Sequence, residues 1–269
     1  MHNAAFSALG LPHRYWAFHV RPDGLREALR GALTLGFGGL NLTVPHKQAA
    51  IPHLDRLTEA AARIGAVNTV LFEHGHMIGD NTDGLGLLTA LSELDVAASG
   101  EKRSSGSCVV LGSGGAARAV VDALVHESLD PDVRWVSRAP ARIDAPAGAT
   151  CLDYEALAGE PICADLLVNA TTVGMQGGPT AFPVDLDLET LSAGARVIDL
   201  VYPRPRGGLL DRAEQAGLFV QDGLPTLLWQ GVHALGLWLE RSDGEDEQPL
   251  PMGVIEAMRG ALHCALGVG

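Results

Sequence analysis

The chain has 269 residues, a length that predicts about two domains, and 47% of them are hydrophobic, enough to build both cores. A formal net charge of −13 excludes an ordinary nucleic-acid partner, because neutralising phosphates takes clustered Lys and Arg; it leaves room for an anionic small molecule held by a few local cations. No apolar run is long enough to span a membrane and the N-terminus has no basic stretch followed by an apolar one, so no membrane partner and a cytoplasmic location are expected. Cys108, Cys151, Cys163 and Cys264 form no C-x-x-C pair, which predicts reduced thiols and no zinc site.

In chain order, residues 14–20 read as a strand. Pro22-Asp23-Gly24 opens an apolar-periodic segment, 25–35, expected to be a helix ended by Gly36. Residues 39–43 read as a short strand running into Val44-Pro45-His46-Lys47, and 67–73 as another, closed by a hairpin turn at His74-Gly75. His74 and His76 have no third ligand nearby and are read as turn residues, so no metal is expected. The small, polar residues 97–107 read as a linker. Beyond it, apolar strands at 108–111, 134–136, 166–170, 197–201 and 218–220 alternate with helices, which implies a parallel sheet covered on both faces. Residues 225–240 and the tail after Pro251 read as helices, with a solvated acidic loop at 242–248 between them.

Residues 108–119 form a strand, a glycine turn and a helix start that fit G-x-G-x-x-A in the context a dinucleotide requires. Gly112 permits the tight turn, Gly114 lets the backbone approach a pyrophosphate, and Ala117 is small enough for close helix–strand packing. Gly115 and Ala116 open the helix, whose free N–H groups and dipole favour phosphate. NAD sites usually place an acid at the end of the second strand. Here Ser137-Arg138-Ala139-Pro140-Ala141-Arg142 has none, and Arg138 and Arg142 suit the 2′-phosphate of NADP.

Three segments of the first domain set polar residues between apolar strands: Asn41-Leu42-Thr43-Val44-Pro45-His46-Lys47, Gly65-Ala66-Val67-Asn68-Thr69 and Gly79-Asp80-Asn81-Thr82-Asp83-Gly84. They suggest a small polar substrate. In this order, with Met-His-Asn-Ala-Ala-Phe at the start, Asn169-Ala170-Thr171-Thr172-Val173-Gly174-Met175, Asp199-Leu200-Val201-Tyr202 and the G-x-x-x-L-x-x-Q run from Gly223 to Gln230, the sequence resembles the shikimate dehydrogenases over nearly its whole length.

The resemblance implies NADPH-dependent reduction of 3-dehydroshikimate to shikimate, in aromatic amino-acid biosynthesis. It implies Lys47 and Asp83 as the catalytic pair, Thr43, Asn68 and Gln230 on ring hydroxyls, and Tyr202 lining the site. It also implies Thr171 and Gly223 beside the cofactor, and Ser137, Arg138 and Arg142 on its 2′-phosphate. The implied architecture is α/β with two domains: a discontinuous α/β substrate domain, 1–97 plus 224–269, and a Rossmann-type doubly wound NADP-binding domain, 98–223. The partner is a small-molecule substrate, and the chain is expected to be a monomer or homodimer.

The chain departs from the family in several places. Relatives carry Asn-Arg-Thr where this chain has Ser137-Arg138-Ala139, which implies a weaker NADP preference. A threonine is often found near Gly207, and a methionine is common at Thr226. Relatives also begin with a strand and a Ser-x-Ser-Pro segment ahead of Met-His-Asn. An internal methionine taken as the start is the reading adopted over a true truncation, and the missing strand is expected to leave an edge or gap in the first sheet. The alternatives are an NAD-dependent quinate/shikimate dehydrogenase and an impaired, non-catalytic dinucleotide-binding relative.

Overall fold

The computed structural model describes residues 1–99, 106–127, 132–243 and 249–267. They divide into two compact units, Met1–Gly86 with Leu227–Gly269, and Leu87–Thr226.

The first unit opens with α1 (His2–Ala8) and α2 (Leu25–Thr34). Leu25, Leu29 and Ala32 recur at helical spacing along α2 and are buried, and the helix stops before Gly36, which takes a positive φ. Next come β1 (Gly39–Asn41), α3 (His46–Ala49), β2 (Arg56–Leu57), α4 (Glu59–Ile64), β3 (Thr69–Glu73) and β4 (His76–Asp80). Thr58 caps α4 by accepting from the Ala61 N–H at 3.2 Å, and Gly65 ends it in the left-handed region. The sheet order is β1-β3-β4-β2, with β3 and β4 an antiparallel hairpin and β2 parallel to β4. Leu25 and Leu29 pack with Val67, Val70 and Met77 to form the core on one face of this sheet.

Residues 14–20, expected to be a strand, form no strand. Three of their backbone groups bond side chains instead. The Tyr15 N–H and C=O bond the Asn3 amide at 2.7 and 2.9 Å, and the Val20 carbonyl meets His46 Nε2 at 2.9 Å. Trp16 and Phe18 are 71% and 64% exposed, so the apolar alternation that suggests a strand has no sheet face beneath it.

α5 (Asp83–Ser99) begins in the first unit and runs into the second. The second unit continues with β5 (Ser107–Leu111), α6 (Gly115–Glu127), β6 (Asp132–Val136), β7 (Ala149–Leu152), β8 (Leu166–Asn169), β9 (Arg196–Asp199), α7 (Leu209–Gln215) and β10 (Phe219–Gln221). These strands form one parallel sheet in the order β10-β9-β8-β5-β6-β7. Successive β5 side chains alternate between two cores. Cys108 and Val110 pack with Leu87 and Leu91 of α5 and with Val120 and Leu124 of α6. Val109 and Leu111 pack into the core that holds Leu209 and Ala213 of α7. The strand order reverses between β5 and β8, and ligands of open α/β sheets bind at the carboxyl ends of strands at such a switch point. Along the second unit's sheet, β7 is an additional edge strand. Its Ala-Thr-Cys-Leu sequence lacks the apolar run that marks its neighbours.

α8 (Gly223–Asp243) and α9 (Met252–Leu266) complete the fold. The units divide inside α5 and α8, not at the polar segment 97–107. Residues 97–99 of that segment close α5, 106 leads into β5, 107 is its first residue, and the rest lies outside the described residues. Of the acidic segment 242–248, the first two residues end α8 and the others also lie outside them.

Candidate active site

Lys47 leaves the first turn of α3, and Asp83 is the first residue of α5. Lys47 Nζ donates to Asp83 Oδ2 at 2.5 Å, with the two side chains only 17% and 14% exposed. Such a short, half-dry ion pair is stronger than a surface one. Each partner is held by its backbone. The Val67 N–H bonds the Lys47 carbonyl at 2.7 Å, tying α3 to the approach to β3. Asn81 Oδ1 accepts from the Asp83 N–H at 3.0 Å, capping the start of α5, while Asn81 Nδ2 reaches the Ala66 carbonyl at 2.9 Å.

Asn68 is buried, and its Nδ2 donates to Asp83 Oδ1 at 2.7 Å and lies 3.4 Å from Gln230 Oε1 of α8. α5 and α8 come close here because residue 86 is glycine: a Cβ at Gly86 would stand 2.6 Å from the Gln230 backbone nitrogen. Lys47, Asp83, Asn68 and Gln230 thus share one polar cluster within the first unit. Thr43 stands between β1 and α3 and is exposed. Tyr202 belongs to the second unit, after β9.

In the second unit, Gly112 ends β5 at φ +122°, where a Cβ would lie 2.7 Å from the Ala170 carbonyl oxygen, so the turn requires glycine. The turn is fixed by the Gly112 N–H on the Val136 carbonyl at 2.9 Å and by the Trp135 indole N–H on the Gly112 carbonyl at 2.6 Å. Gly114 faces open space, Gly115 and Ala116 start α6, and that first turn holds no acid. At the end of β6, Ser137 is buried and its Oγ accepts from the Ala139 N–H at 3.0 Å, leaving its proton to donate; Arg138 and Arg142 are exposed.

The Thr171 loop follows β8. Thr171 Oγ1 donates to Asn169 Oδ1 at 2.6 Å, and Asn169 Nδ2 donates to Asp199 Oδ1 at 2.8 Å. Burial pushes the Asp199 carboxyl up to about 6, against the pull of its bonds from Val201 and Asn169. Gly223 opens α8 where a Cβ would lie 2.5 Å from the Leu200 carbonyl oxygen. Among the described residues, no group of His, Cys, Asp and Glu is placed to hold a metal ion, and no helix is long and apolar enough to cross a membrane.

Residues 1–70 match the family model described as the shikimate dehydrogenase substrate binding domain. A shikimate dehydrogenase (NADP(+)) of Methanopyrus kandleri is 43% identical over 88% of this chain and 84% of its own. The chain belongs to the shikimate dehydrogenase family. A Thermus thermophilus shikimate 5-dehydrogenase, solved in complex with NADP(H) and shikimate, matches at a TM-score of 0.76 and 39% identity, over 97% of this chain and 92% of its own. A 5-ketofructose reductase from Gluconobacter shares the fold at a TM-score of 0.78 and 30% identity, over 98% and 91% of the two chains, so the fold also serves another carbonyl reduction.

The family's substrate-domain match takes in Thr43, Lys47 and Asn68 and stops before Asp83 and Gln230, which the fold brings to the same cluster. A lysine ammonium steadied by a carboxylate can hydrogen-bond a carbonyl oxygen and hand it a proton. The glycine turn, the acid-free first turn of α6 and the arginines after β6 fit a phosphorylated dinucleotide. Asn81, Thr82, Asn169 and Asp199 lie within the sequence motifs, but no spacing gives them roles. The one signal was their polarity among apolar residues, and only the fold shows them buried and bonded.

Proposed function

We propose that the chain catalyses the reversible, NADPH-dependent reduction of 3-dehydroshikimate to shikimate, a step of aromatic amino-acid biosynthesis. The observation that carries this reading is the Lys47–Asp83 pair with Asn68 and Gln230 on its flank. The relatives' activities, and the Thermus enzyme's complex with NADP(H) and shikimate, support it.

When bound, NADPH supplies the hydride. Lys47 donates a hydrogen bond to the ring carbonyl oxygen, stabilises the charge that grows there and releases its proton to it. Asp83 orients the ammonium and accepts from a ring hydroxyl. Asn68, Gln230 and Thr43 hold the remaining hydroxyls. In the oxidative direction Lys47 takes the hydroxyl proton back. Gly112, Gly114, Gly115 and Ala116 accommodate the pyrophosphate, Thr171 and Gly223 lie beside the cofactor, and Ser137, Arg138 and Arg142 receive the 2′-phosphate. The first unit is the substrate-binding part and the second the NADP-binding part. The enzyme works in the cytoplasm as a monomer or homodimer.

Rates of shikimate and quinate oxidation with NADP+ and with NAD+ test the reading. Shikimate with NADP+ is expected to be the fastest pair. A faster reaction of quinate with NAD+ would replace it with the quinate/shikimate alternative, and no activity on either acid would reject both.

A further inference from the structure

We propose that Thr82 is a positioning residue for substrate recognition, clamping the Asn68 amide in the single orientation that presents its nitrogen to Asp83; this rests on the function proposed above. Thr82 is 1% exposed, so it acts through Asn68 and not on the substrate. Its backbone N–H meets Asn68 Oδ1 at 2.9 Å. A backbone N–H can only donate, so that atom is the amide oxygen and the amide nitrogen lies on the opposite side. Thr69 Oγ1 donates to the same oxygen at 2.8 Å.

The hydroxyl completes the clamp. Thr82 Oγ1 has the Gln230 backbone carbonyl at 2.9 Å as its nearer acceptor and Asn68 Oδ1 at 3.3 Å as a second one, and it accepts from Asn68 Nδ2 at 3.0 Å. One buried side chain therefore joins the strand end bearing Asn68, the helix start bearing Asp83 and the helix bearing Gln230. Without the hydroxyl, Asn68 Nδ2 loses an acceptor, the Gln230 carbonyl loses its bond to the start of α5, and the three groups proposed to read ring hydroxyls lose their common reference.

Thr82→Val and Thr82→Ala keep the backbone donor and remove the hydroxyl, whereas Thr82→Ser keeps both. Steady-state kinetics are expected to show KM for shikimate raised about tenfold in both hydroxyl-free variants, with kcat changed less than about threefold. KM for NADP+ stays at the wild-type value, and the serine variant stays within about twofold of wild type throughout. Should Thr82→Val fail to fold, Thr82→Ala carries the test, since it only removes atoms. An unmoved KM for shikimate in the hydroxyl-free variants, or an equal rise in both KM values, overturns the inference while the proposed function stands. Absence of shikimate oxidation by the wild-type chain overturns both.

Discussion

At the scale of one side chain, Arg138 is the residue proposed to set the cofactor preference. It is exposed at the end of β6, where no acid is present to bind a ribose 2′-hydroxyl, and a guanidinium can grip a 2′-phosphate with two parallel bonds. Arg138→Ala is expected to raise KM for NADPH about tenfold and to leave KM for NADH within about twofold. An unchanged preference between the two cofactors removes Arg138 from the 2′-phosphate site. This preference was legible in the sequence because strand, strand end and arginine are neighbours in the chain. The turn made by Ser137 was not, since its bond to the Ala139 N–H depends on how the backbone bends after β6.

Between elements, Asp199 joins the ends of β8 and β9 through Asn169, which in turn holds the Thr171 loop. Burial raises its pKa from 3.8 to about 6, so the native state keeps a proton that the unfolded chain releases. Its stabilising contribution is full below about 3.8 and is lost as pH rises through about 6. The contribution is on the order of 3 kcal/mol at most. His2, depressed to about 4 chiefly by burial and next by the neighbouring α-amino group, acts oppositely: its contribution is full above 6.5 and is lost as pH falls through about 4. Urea denaturation of wild type and Asp199→Asn over this window separates the two. The wild type should lose stability relative to the variant as pH rises through about 6, and a constant difference would contradict the assignment. The same scale explains which elements were legible. The glycine turn and the strands of the parallel sheet carry local signals. Residues 14–20 mimic a strand because alternation does not reveal whether a ladder partner exists. Composition marks where a helix gives way to loop, whereas Leu87 and Leu91 of α5 already lie in the second unit's core.

Across the whole molecule, the first unit is built from both ends of the chain, so Asn68 meets Gln230 across 162 residues of sequence. No local pattern contains that meeting, and the resemblance to a family supplied it before the fold did. The net charge of −13 likewise says little about a site whose proposed chemistry depends on one lysine held by one carboxylate. The measurement that tests this reading most directly is the turnover of shikimate with NADP+ by wild type and Lys47→Ala, together with the NADPH dissociation constant of each. The variant is expected to lose at least about a hundredfold in kcat while binding NADPH as the wild type does. Retained turnover, or an equal loss of turnover and NADPH affinity, would contradict it.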